Sequence, residues 1–151
     1  MLTNISYKWF VFLVVGRPQR STQGVSSAAS DVYKETDKEV GKQINQYRSN
    51  FVMARILQSS QSVQIGCMYL GEGGVVGYHQ ATLPQLFLVI SGEGIVREGD
   101  SEWIHVKAGD AVFWMNGEWH ETKTETGLTA LVIEGEDLDP SRYMKLLENQ
   151  G

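Results

Sequence analysis

At 151 residues, with 42% hydrophobic and 21% charged side chains, the chain has the size and composition of one globular domain. Thirteen basic residues against eighteen acidic ones leave a formal charge of -5. That balance argues against a nucleic-acid groove, which needs clustered Lys and Arg to meet phosphates. The single cysteine, Cys67, excludes an intrachain disulfide and a thiolate-rich zinc site, and its place in an alternating apolar run predicts a buried structural thiol.

The chain begins awkwardly. Residues 9–15 (WFVFLVV) are apolar but far too few to cross a bilayer, which takes roughly 20 residues. They sit at the lower edge for a signal-peptide core, and Ser27, Ala28 and Ala29 offer a small-residue cleavage region, but Arg17, Pro18 and Arg20 interrupt before it. Residues 16–40 are rich in Ser, Gln, Gly and charge, so residues 1–40 are expected to be a poorly ordered extension. A cytoplasmic location is the expectation, with secretion through an atypical N-terminal signal as the alternative. The folded domain is expected over 41–151.

From about residue 50 the periodicity is two. Val63, Ile65, Cys67 and Tyr69 alternate with Gln64, Gly66, Met68 and Leu70, and glycine-rich turns follow at 71–74 and 92–94. In the strand over 85–91, Gln85, Phe87 and Val89 share one face while Leu86, Leu88 and Ile90 share the other. A strand apolar on both faces must be covered on both, by a second sheet, by the N-terminal segment or by a second subunit. Further strands are expected at 95–98, 103–107, 111–114, 120–124 and 128–134. In the fourth of these, Thr122 and Thr124 share the face of His120, leaving Glu121, Lys123 and Glu125 to a solvated face. Many short strands with closely spaced turns indicate a barrel or a two-sheet sandwich. Asp139 as cap and Pro140 at the first helical position predict a C-terminal helix over 140–149, docking Tyr143, Leu146 and Leu147.

Two glycine-anchored histidine segments carry the chemistry. The first spans residues 73–92 (GGVVGYHQATLPQLFLVISG) and holds His79; the second spans 109–124 (GDAVFWMNGEWHETKT) and holds His120. Together they resemble the paired motifs of the cupin superfamily. Gly73, His79 and Gly92 match the first motif, where Ala81 replaces its second histidine and Gln85 its glutamate. Gly109, Gly117 and His120 match the second motif, where Met115 replaces its proline and Thr124 its asparagine. The resemblance implies an all-β, cupin-like double-stranded β-helix (a jelly-roll barrel) with a short C-terminal helix. It also implies a central small-molecule pocket and a homodimer. By that resemblance His79, Gln85 and His120 are the candidate ligands for a divalent transition metal such as Zn, Fe, Ni or Mn, with Phe87, Thr122 and Thr124 lining the pocket.

Imidazole nitrogen suits all of these ions, whereas Gln offers only a neutral, weaker amide oxygen and Ala81 offers nothing. A metal so held would be weakly bound and would attract a small, possibly anionic, ligand. The same departures suit a metal-free pocket that binds or senses a small molecule through hydrogen bonds. If the chain is an enzyme, the resemblance points to a metal-dependent oxygenase or isomerase. Tyr78 is expected to point away from His79, His105 to lie on a surface strand, and Trp114 and Trp119 to cap the pocket mouth or to pack in the core or in a dimer contact.

Overall fold

The computed structural model describes residues 31–34, 39 and 41–147. Among them are eleven strands: β1 (Asp31–Lys34), β2 (Lys42–Ile44), β3 (Phe51–Met53), β4 (Val63–Leu70), β5 (Val75–Gln80), β6 (Gln85–Glu98), β7 (Ile104–Lys107), β8 (Asp110–Trp114), β9 (Trp119–Lys123), β10 (Leu128–Gly135) and β11 (Lys145–Leu146). One layer runs β11-β1-β8-β6-β10-β4. A second runs β7-β6-β9-β5. All pairs are antiparallel, and among the described residues the β2–β3 hairpin pairs only with itself. Two layers are what the alternating pattern predicted, and their arrangement is the jelly roll that the resemblance implied.

The long strand β6 belongs to both layers. Its first half pairs with β8 and β10, its second with β7 and β9. The crossing falls at Gly92, whose φ of +76° is left-handed and whose missing Cβ would stand 2.2 Å from the Gly127 carbonyl oxygen. Only glycine combines that backbone angle with that approach.

Alternation along β6 sorts its side chains into two cores. Phe87 and Val89 pack between the layers with Val96, Val106, Val112, Trp114, Leu128 and Ala130. Leu86 and Leu88 face the other way and are covered by Tyr33, Phe113, Leu138 and Met144, with Ile56 and Leu57 alongside. Each such leucine contributes about 1.5–3 kcal/mol when fully buried. Leu86 and Leu88 on the outer face of β6 are thus covered by this chain's own segments, whereas Ile90 on the same face stays 45% exposed.

Three expectations are corrected. Residues 31–34, placed by sequence in the extension, form a strand in register with β8, from Asp31↔Phe113 to Lys34↔Asp110, and bury Val32 and Tyr33. Residues 1–30, including the apolar run at 9–15, lie outside the described residues. The C-terminal helix is replaced by a single 3-10 turn at Pro140–Arg142, with no side-chain cap from Asp139, and by β11, which pairs Tyr33↔Leu146 and Lys34↔Lys145. Its last two expected residues, 148 and 149, are outside the described residues. A segment this short is marginal as a helix, whereas the open edge of β1 accepts its backbone directly, down to Leu147 N–H donating to the Val32 carbonyl at 2.8 Å. Met144, rather than the Tyr143–Leu146–Leu147 stripe, is the buried anchor. Cys67 is exposed, because its face of the edge strand β4 points outward with Ile65 and Tyr69 (63% and 78% exposed) while Met68 and Leu70 face the inner core.

Among the described residues no helix is long and apolar enough to cross a membrane.

Candidate functional site

The pairing of β5 with β9 sets His79 opposite His120, bringing the two glycine-anchored segments together. Their rings meet edge to face with centroids 4.3 Å apart. The register slips between Val76 and His79. Just beyond the pair, Ala81 N–H donates to the Glu118 carbonyl at 2.9 Å and Gly117 N–H donates to the Ala81 carbonyl at 2.8 Å. Gln80 Nε2 donates to the Gly117 carbonyl at 2.7 Å, and the Glu118 carboxylate accepts from Met115 N–H at 2.6 Å. These bonds clip the end of β5 to the turn before β9, and so hold the two histidine-bearing segments in fixed register.

The two imidazoles live in different surroundings. His79 is exposed, and its Nδ1 lies 2.7 Å from the Gly77 carbonyl. A carbonyl only accepts, so Nδ1 carries a proton, and in the neutral ring Nε2 is the acceptor. His120 is 1% exposed. The Trp114 indole lies flat on its ring at 4.0 Å and 10°, and Phe87 backs the indole at 5.8 Å. Burial, reinforced by the neighbouring His79, lowers the His120 pKa to about 4, with the Glu118 carbonyl opposing weakly. His120 is therefore neutral at physiological pH, and its Nδ1 is buried with no hydrogen-bond partner among the described residues.

The other predicted site residues have definite places. Gln85 is buried opposite Trp114 on β8, and its Nε2 donates to Glu134 Oε1 at 2.8 Å. Phe87 and Thr122 are buried, Phe87 against Trp114. The Thr124 hydroxyl donates to the Glu93 carbonyl at 2.7 Å and accepts from Gly127 N–H at 3.0 Å, which engages it in the turn after β9. The structure thus brings His79, His120 and Trp114 into one cluster, and ties Gln85 to Glu134 instead. Among the described residues no group of three or more His, Cys, Asp or Glu side chains is placed to hold a metal ion.

One residue of the site, Glu134, went unrecognised in the sequence, and Trp114 was read there only as a pocket cap or a packing ring. Trp114 alternates with the inward Val112 on β8, and Glu134 follows the inward Ala130 and Val132 at period two on β10. Both faces were readable once the inner side of those strands was known. Around the site, Tyr78 does turn away from His79, stacking on Trp119 at 5.2 Å. His105 is exposed and sits 3.3 Å from Glu93. Glu121, expected on a solvated face, is buried between Arg97 and Lys123 at 2.9 Å each, and their cationic groups in turn cover the Trp103 ring at 4.8 and 4.6 Å. Paired opposite charges allowed that face to close.

Residues 67–134 match the family model described as the cupin domain. That segment carries His79, His120 and the seven strands from β4 to β10, with the crossing at Gly92, and it is this stretch of the chain that is similar to the cupin domain. Similar solved structures include a cupin superfamily protein of Desulfitobacterium hafniense (24% identity, TM-score 0.47, covering 56% of this chain and 75% of that one). Others are the DMSP lyase DddQ of Ruegeria pomeroyi (26%, 0.48, 53% and 41%) and a predicted oxalate decarboxylase of Thermotoga maritima (26%, 0.42, 55% and 65%). No curated protein matches the chain at a significant level.

Proposed function

We propose that this chain is a small-molecule-binding cupin whose site is the His79–His120 pair, working through neutral imidazole nitrogens. The observation that carries the reading is the pair itself: two rings 4.3 Å apart, one held neutral by burial and the other exposed with its Nδ1 tied to the Gly77 carbonyl. Two imidazole nitrogens side by side, acting as acceptors, favour a ligand that presents O–H or N–H donors, such as a phenol or a protonated carboxylic acid.

A second reading, a divalent metal on His79 and His120, is favoured by the orphaned Nδ1 of His120, since a buried nitrogen without a proton acceptor or donor is well suited to a metal. The donor set limits that reading. Gln85 is engaged with Glu134, so the ion would have two neutral protein donors, and most of its shell would be water or ligand. Such an ion would be weakly held and would act as a Lewis acid toward an anionic ligand.

Thermal-shift measurements on chelator-treated protein separate the two. A fragment set of phenols and carboxylic acids is expected to raise Tm and to shift the imidazole resonances of His79 and His120. If no fragment moves those resonances while Zn or Ni raises Tm, and the rise is lost in His79→Ala/His120→Ala, the metal reading replaces the first. If neither class acts, the His pair is not a binding site.

A further inference from the structure

Away from the imidazole pair lies a cleft of about 570 Å³ between the β2–β3 hairpin and the C-terminal turn. Four cations line it: Lys42 and Arg55 from the hairpin side, Arg142 and Lys145 from the C-terminal side. Among the described residues no carboxylate lines it, and none of the four cations makes an ion pair. Both guanidinium groups lie 5.9 Å from the centroid of one ring, Tyr143. Lys145 also stands directly across the sheet from Lys34. Lys34 has Asp110 at 3.6 Å, whereas Lys145 has no ion pair among the described residues.

This concentration of one sign is at odds with the chain's charge of -5. Like charges set opposite one another on a sheet, or gathered in a cleft, oppose folding unless an anion offsets them. We infer that the cleft is a binding site for a compact oxyanion carrying two or more charges, of the phosphate or polycarboxylate type. Guanidinium forks match both chemistries bidentately, and ammonium groups add point charges around them. With two guanidiniums already on it, Tyr143 has little ring surface left for a nucleobase, and the acidic remainder of the chain disfavours a long polyanion. A compact anion seated there would join the hairpin, which pairs with no other strand among the described residues, to the C-terminal turn.

Calorimetric titration of the full chain with inorganic pyrophosphate and with citrate, at constant ionic strength, tests this. Saturable binding of at least one is expected, and which one binds distinguishes phosphate from carboxylate chemistry. Lys42→Gln/Lys145→Gln, which leaves Tyr143 untouched, and Arg55→Gln/Arg142→Gln should each weaken binding by about tenfold or more. A lysine variant that binds as tightly as the wild type overturns the site, whatever the fate of the arginine variant. So does the absence of heat from either anion beyond that of matched sodium chloride.

Discussion

Replacing His120 by Phe isolates the energetic consequence of a buried neutral imidazole. The unfolded histidine titrates near 6.5, while burial sets the folded value near 4. Between those values the unfolded chain binds the extra proton, so stability rises with pH across the window. The contribution is fully present above about pH 6.5 and is lost as pH falls through about 4. A shift from 6.5 to about 4 corresponds to about 3 kcal/mol, and to nearer 2 where water reaches the ring edge. Phe keeps an aromatic ring on Trp114 and cannot titrate. Urea unfolding of wild type and His120→Phe at half-unit steps from pH 7.5 to 4, in chelator, gives a difference curve from which the shared carboxylate titrations cancel. Relative to its position at pH 7.5, that curve should move by about 2–3 kcal/mol in favour of the variant by pH 4. A flat curve, or a His120 imidazole resonance titrating near 6.5, refutes both the burial and the neutrality of His120 on which the proposed site depends.

Gly92→Ala should cost at least about 3 kcal/mol, because it adds left-handed strain to a collision with the Gly127 carbonyl. Gly99→Ala, with a φ of +50° but open space, should cost about 1 kcal/mol, and comparing urea midpoints of the two separates collision from strain. Trp114→Ala should destabilise by about 3–5 kcal/mol and raise the His120 pKa as water enters, which thermal unfolding and imidazole NMR would register together. Glu121→Gln and Arg97→Gln should each lower Tm with strongly non-additive effects in the double variant, since both remove the same 2.9 Å pair; additive losses would show the pair to be idle. In the native protein Cys67 should react with Ellman's reagent almost as fast as in urea, whereas a protected thiol would contradict the outward face of β4.

Much of the fold could be read from alternation alone. The two faces of β6 emerge from the order of Gln85 to Ile90, and period two assigns each side chain to its core. What alternation does not say is which face of an edge strand is inward. Val63, Ile65, Cys67 and Tyr69 looked like a core face, yet Met68 and Leu70 fill the core and the more apolar-looking row is outside. The same blindness concealed Glu121, whose burial depends on two cations from β6 and β9. The C-terminal segment was misread because its helical signals are local, while β11 owes its form to an open edge more than a hundred residues earlier in the chain. At the site, motif spacing located His79 and His120, since both positions are set by turns that glycines mark. It could not reveal that Gln85 would find Glu134, or that Trp114 would lie flat on His120, because both contacts are made between strands distant in sequence.

The position of β6 has a consequence for how the molecule opens. Every strand of the second layer, and β8 and β10 of the first, hangs directly or through one neighbour on this single fourteen-residue segment. Neither layer can detach without breaking hydrogen bonds on β6, so partial opening should be confined to β4, β11 and the β2–β3 hairpin. Amide hydrogens of residues 86–89 should then exchange only through global unfolding, at one common free energy, while those of the peripheral strands exchange at lower and separate ones. Native contacts so widely separated along the chain also predict slow folding, which stopped-flow refolding would check.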